Sequence, residues 1–122
     1  MSESGITYLT DVVLMTCIVT RGRGDEAVKV AREAGVAGAI VYNARGHGAR
    51  ERLGLLGIAV EAEKDVVSMV VATEQRDWVM HSLYTQLGLD RPGAGMVYAV
   101  PMDKMATYIP ADVLQRLQPE AG

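Results

Sequence analysis

The stretch "DVVSMVVATE" (residues 65–74) opens like "DVVLMTCIVT" (residues 11–20), and this weak duplication decides the reading of the fold. Both are short, valine-rich runs of the kind that form buried strands. A second pair follows them: "GAIVYNA" (38–44) is echoed by "GMVYAVP" (95–101). Strands are therefore predicted over 12–20, 38–44, 66–73 and 96–101.

Between the members of each pair lies a helical pattern. In "GDEAVKVAREAG" (24–35), Asp25 and Glu26 stand at the start and Lys29 and Arg32 later, an order that suits the helix dipole. Ala27, Val30, Ala31 and Ala34 supply an apolar stripe, and Gly35 is a stop signal. In "EQRDWVMHSLYTQLGL" (74–89), Trp78, Val79, Leu83 and Leu87 recur at threes and fours, with Gly88 as the stop. Trp78 reads most simply as a packing residue, with a binding aromatic as the alternative.

Two strand–helix–strand units in tandem predict an α+β, ferredoxin-like double βαβ sandwich, with a four-stranded antiparallel sheet and both helices on one face. Runs such as "VVSMVVA" are too apolar for a sheet face in water, so oligomerisation into a symmetric ring is expected to cover the other face.

Length and charge bound the function. A chain of 122 residues with 49% hydrophobic content suits one folded domain over 1–122. A net charge of -3 argues against nucleic acid as a partner. "MSESGITYLTD" (1–11) has no signal-peptide pattern and no apolar run approaches a membrane span, which points to the cytoplasm. The one cysteine, Cys17, reads as a buried structural thiol.

"ARGHGAR" (44–50) after the second strand and "RPGAGMVYAVP" (91–101) opening the fourth, within the duplicated unit, resemble the PII signal-transduction proteins. The resemblance spans about 11–109 and is nearest to a divergent branch with a short T-loop. It implies a cytoplasmic homotrimer whose intersubunit clefts bind adenine nucleotides between the base of the T-loop and the B-loop, the turn before strand four. It also implies a regulated partner, such as a membrane transporter or a metabolic enzyme, contacted through the T-loop at 44–58.

Carried over by position, Gly46 and Gly48 match the T-loop base, and Gly93 and Gly95 match the paired B-loop glycines. The aspartate and lysine usual in and after the latter pair are replaced by Ala94 and Met96, and a pair of arginines usual near the end is missing, with Lys104 nearby. Arg45, Arg50, Arg52 and Arg91 supply positive charge beside the turns. The implied ligand site is Arg45, Gly46, His47, Gly48, Arg50, Arg91, Gly93, Ala94, Gly95 and Met96. AMP, ADP or a cyclic nucleotide fits it better than ATP with magnesium, because the lysine is lost. The alternative reading makes these glycines plain turn formers and the arginines solvated surface.

The segment 43–58, "NARGHGARERLGLLGI", contains no Tyr, Ser or Thr, so it offers no hydroxyl for covalent modification. No glutamine stands at Ala49 or Arg50, where the nitrogen-sensing members carry one. Arg52, Leu53, Leu55 and Leu56 form a basic and apolar docking element, or else fold back on the trimer. The tail 110–122, "PADVLQRLQPEAG", has the pattern of a short amphipathic helix.

Two other classes compete. A catalytic reading would use His47 with acidic residues 51, 61, 63 and 65, but no catalytic spacing is present, and no enzyme is expected. A metal-binding trimer would recruit His47, Cys17, Met69, Met96 or Met102; the methionines read first as core fillers. A trimeric interaction protein without a nucleotide is the remaining alternative.

Overall fold

A computed structural model of the chain describes residues 2–3, 5–45, 63–108 and 112. Nine elements follow in order: β1 (Ser2–Glu3), β2 (Ile6–Leu9), β3 (Val12–Thr20), α1 (Gly24–Glu33), β4 (Ile40–Arg45), β5 (Glu63–Ala72), α2 (Arg76–Gln86), β6 (Gly95–Pro101) and β7 (Met105–Ala106). A 3-10 turn at Thr73–Gln75 leads into α2. The main sheet has the order β4-β5-β3-β6 with every pairing antiparallel, the predicted ferredoxin-like arrangement.

The register fixes which side chains share a face. Cys17 stands between Val67 and Val97, and Met15 between Met69 and Ala99. Strand side chains alternate, so Val13, Met15, Cys17, Val19, Val67, Met69 and Val71 project together on one side. There they pack with Ala27, Val30 and Ala31 of α1 and with Val79, Leu83 and Leu87 just after or within α2. Full burial of each larger apolar side chain contributes about 1.5–3 kcal/mol, so this layer dominates stability.

Both helices stop where glycine permits a left-handed turn: Gly35 has φ +111° and Gly88 has φ +68°. Arg23 ties the helices together, because its Nη1 donates to the Leu87 carbonyl at 3.0 Å while its guanidinium pairs with Glu26. A cation at those last carbonyls also suits the dipole of α2.

The opposite face of the sheet carries Leu14, Thr16 and Ile18 from β3, Val66, Ser68 and Val70 from β5, Ile40 and Tyr42 from β4, and Tyr98 and Val100 from β6. Ile40, Tyr42, Val70, Tyr98 and Val100 are exposed. Thr16, Lys64 and Val66 on the same face are buried, so the expected apolar face is present but is exposed only in part, mainly along its edge strands.

Two findings differ from the expectation. Trp78 is 56% exposed and stacks on His81 at 6.5 Å between ring centroids, so it is not a core residue. The stripe of α2 that meets the sheet runs through Val79, Ser82 and Leu83 instead. The second difference is a small sheet, β1-β2-β7, that joins the start of the chain to residues beyond β6. Its strands are too short for an alternation signal.

Candidate functional site

The first residues of β5 organise the end of the sheet. Glu63 and Asp65 alternate onto the helix side, and Lys64 between them projects to the open side. Asp65 is buried, and both of its carboxylate oxygens accept hydrogen bonds. Oδ2 accepts the Gly22 N–H at 3.0 Å and the Gly24 N–H at 2.8 Å; Oδ1 accepts Asn43 Nδ2 at 2.7 Å. It therefore caps the start of α1 from a neighbouring strand, which satisfies amide groups a helix N-terminus leaves over. Asp65 was one of the acids available to a catalytic reading; its bonds make it structural.

Glu63 binds two guanidiniums, those of Arg21 and Arg45, the latter at 2.9 Å. The hydrogen bond from Arg45, and then the charge of Arg21, hold the Glu63 carboxyl below its ordinary range. Arg45 is thus positioned as expected at the end of β4, but it shares the one Glu63 carboxylate with Arg21, so the trio keeps a single net positive charge.

Lys64 is the residue that sequence reasoning missed. Only 5% of it is exposed, and it has no hydrogen bond or ion pair among the described residues. It stands between Thr20 and Ala44 on the open face. Among the described residues no buried side-chain nitrogen lacks a partner, so it is the aliphatic stem of Lys64 that is buried while its ammonium reaches solvent, where an anion can meet it. The only signal in the sequence is a charge interrupting the alternation at the start of an apolar strand, which usually marks a solvated end.

The turn before β6 behaves differently from a simple phosphate cradle. Gly93 has φ +78° and Gly95 φ +138°, and Ala94 packs against the edge of the core. A Cβ on Gly95 would overlap the Ile18 carbonyl oxygen, so this glycine is required by the close approach of β6 to β3. Arg91 turns back, its Nε donating to the Gly88 carbonyl at 3.3 Å. Met96 is half-buried on the open face opposite Ile18. Lys104 is drawn to Tyr8, with Nζ 4.5 Å from the ring centroid.

Arg45 and Gly95 lie at the same end of the sheet but on its opposite edge strands. Three strand spacings of about 4.8 Å separate them by roughly 14 Å, so one chain does not bring the two turns together. Gly46, His47, Gly48, Arg50, Arg52, Leu53, Leu55 and Leu56 lie outside the described residues, as does the tail apart from Asp112.

A groove of about 450 Å³ runs along the open face between the segment Ala37–Ile40 and Leu14, Ser68 and Val70, with largely apolar walls. Cys17 is buried, and burial pushes its thiol up to about 12. Among the described residues no group of His, Cys, Asp and Glu is placed to hold a metal ion, and no helix is long and apolar enough to cross a membrane.

No family model matches the chain, and no curated protein matches it either. Among solved structures it is similar to the crystal structure of Arabidopsis thaliana PII bound to citrate, with a TM-score of 0.60 and 18% identity. The match covers 77% of this chain and 79% of that one. The chain has the fold of a PII protein.

Proposed function

We propose that this chain is a cytoplasmic, non-enzymatic regulator of the PII-like kind with a short T-loop, and that it binds a small anionic effector where copies of the chain meet. The observation that carries this reading is Lys64, whose stem is buried while its ammonium reaches solvent with no ion-pair partner among the described residues, on the side of the sheet away from the helices. The apolar groove lies farther along the same strand: four residues separate Lys64 from Ser68, roughly 13 Å of extended chain. A flat apolar ring in the groove with its charged group towards Lys64 describes an adenine nucleotide, AMP, ADP or ATP. The PII protein that shares the fold was crystallised with citrate, also a multivalent oxyanion.

In this reading the chain forms a homotrimer through the open face, and the segment 44–58 contacts a regulated protein, such as a membrane transporter. An effector that binds one arrangement of that segment better than another shifts its population and hence the affinity for the partner. A ligand specific to the folded state must raise its stability. Melting temperatures of the wild-type chain and Lys64→Met are to be measured with ATP, ADP, AMP, cyclic di-AMP, citrate and divalent metals. A rise with a nucleotide, absent in Lys64→Met, is expected. A rise with metal alone, or with nothing, overturns the proposal.

A further inference from the structure

The Glu63 carboxylate is divided between two strand ends. Arg45, which closes β4, donates from Nη2 to Oε2 at 2.9 Å, and Arg21, just past β3, donates from Nη1 to Oε1. Among the described residues each guanidinium makes one contact to this carboxylate, and neither forms the two-bond fork that makes such pairs strong. The side chains of Arg21 and Arg45 are 71% and 63% exposed, so water screens both pairs and each is weak. An oxyanion that accepts a fork from Arg45 offers it a better bond than the one displaced. Release of Arg45 leaves Glu63 paired with Arg21, so the exchange strands no charge.

We infer that Arg45 is an exchangeable oxyanion-binding residue, with Glu63 as its resident counter-ion and Arg21 setting how tightly Glu63 keeps it. This rests on the proposed reading of the chain as a binder of small anionic effectors. It adds a contact that Lys64 does not supply, because Lys64 projects to the other side of the sheet. The group bound is a phosphate or a carboxylate, both of which match the planar guanidinium fork. Each neighbour then has its own sign. Glu63 competes with the ligand and weakens binding. Arg21 competes with Arg45 for Glu63 and strengthens binding without touching the ligand. A general electrostatic field gives the same two signs, but its contributions add. In the exchange, Arg21 acts only through Glu63, and its effect vanishes once residue 63 is neutral.

The test is calorimetric titration of the full chain with sodium pyrophosphate and with sodium citrate at one low ionic strength, with circular dichroism checking that each variant folds. The two probes distinguish a phosphate from a carboxylate source. For at least one of them, Glu63→Gln should bind about threefold or more tighter than wild type, Arg21→Gln about threefold weaker and Arg45→Gln about tenfold weaker. The double variant Arg21→Gln/Glu63→Gln should match Glu63→Gln within about twofold. An Arg21→Gln penalty of equal size with and without Glu63 assigns both effects to the general field and overturns the inference. Wild-type binding that survives Arg45→Gln also overturns it, and its loss in Lys64→Met would then leave the proposed effector reading standing. Absence of binding to both probes in wild type and Glu63→Gln overturns the inference as well. A nucleotide-induced rise in melting temperature would keep the effector reading in that case, and its absence would sink both.

Discussion

Asp65 Oδ2 accepts the Gly24 N–H at 2.8 Å, and a Cβ on Gly24 would lie 2.8 Å from that same oxygen and 2.9 Å from Val41 Cγ1. The carboxylate and the helix start approach this closely only because residue 24 has no side chain. Gly24→Ala is therefore expected to destabilise the fold by about 1–3 kcal/mol through forced displacement of Asp65. Asp65→Ala should cost about 2–4 kcal/mol, since it leaves buried N–H groups of Gly22 and Gly24 without their acceptor. Urea denaturation of both variants checks this; values near zero would mean that α1 starts without the cap.

The turn before β6 offers a second contrast. Gly95→Ala combines a φ of +138° with overlap on the Ile18 carbonyl, so it should lose about 1–3 kcal/mol from the backbone conformation alone, and more from the overlap. Loss of a ligand response in that variant would report a damaged β3–β6 pairing and would not identify a contact. Lys64→Met is the cleaner probe, because its stem can keep the same packing. Thermal denaturation without ligand distinguishes the two variants.

Cys17 should resist thiol reagents in the native chain at neutral pH and react once denaturant is added. Its folded value of about 12 lies above the ordinary 9.0. Between those limits the unfolded chain has lost the proton and the folded chain has kept it, so the unfolded state binds fewer protons. Stability contributed by the neutral thiol is then fully present below about pH 9 and declines as pH rises towards 12, by up to about 1.4 kcal/mol per pH unit. Cys17→Ala should flatten that decline in alkaline denaturation curves.

Glu63 shows the opposite sign. Its carboxyl is held below the ordinary 4.5 by Arg45 and then Arg21, so its contribution is present above about pH 4.5 and is lost as pH falls through the folded value. All three groups are in contact with solvent, and salt should weaken the effect. Wild type and Glu63→Gln should differ in stability at pH 7 in low salt and converge near pH 3. A gap that persists in acid would assign the difference to packing.

Val100 is exposed on the open face beside Leu14, and Tyr98 lies two residues before it on the same strand face. Val100→Asp should leave the single chain folded, since the residue is outside the core, and should shift an assembled species to the monomer in light scattering. Persistence of the oligomer in that variant would place the contact elsewhere.

The positions of the four main strands and both helices were legible in the chain because each is encoded locally. Apolar residues at strand spacing, the charge order of α1, and the stop glycines Gly35 and Gly88 act within a few residues of one another. The duplicated pattern then limited the topology to two βαβ units. The N-terminal strand at Ile6–Leu9 was not legible, since its partner is the two-residue strand at Met105–Ala106 and neither has a periodicity of its own. Trp78 fitted the spacing of the buried stripe, but a helix that packs on one side buries only part of that spacing, and Val79 and Leu83 took the core.

The candidate site divides in the same way. The sequence alone determined where the glycine turns fall, that the chain carries an apolar sheet face, and that Ala94 and Met96 offer no charge. Only the tertiary structure decided that Gly95 serves the close approach of β6 to Ile18, that Arg45 shares Glu63 with Arg21, and that the stem of Lys64 is buried while its ammonium reaches solvent. Burial and charge pairing are sums over neighbours brought together by pairing between distant strands. Lys64 acquires its character from β3 and β4 on either side of it, and nothing adjacent to it in the chain records that.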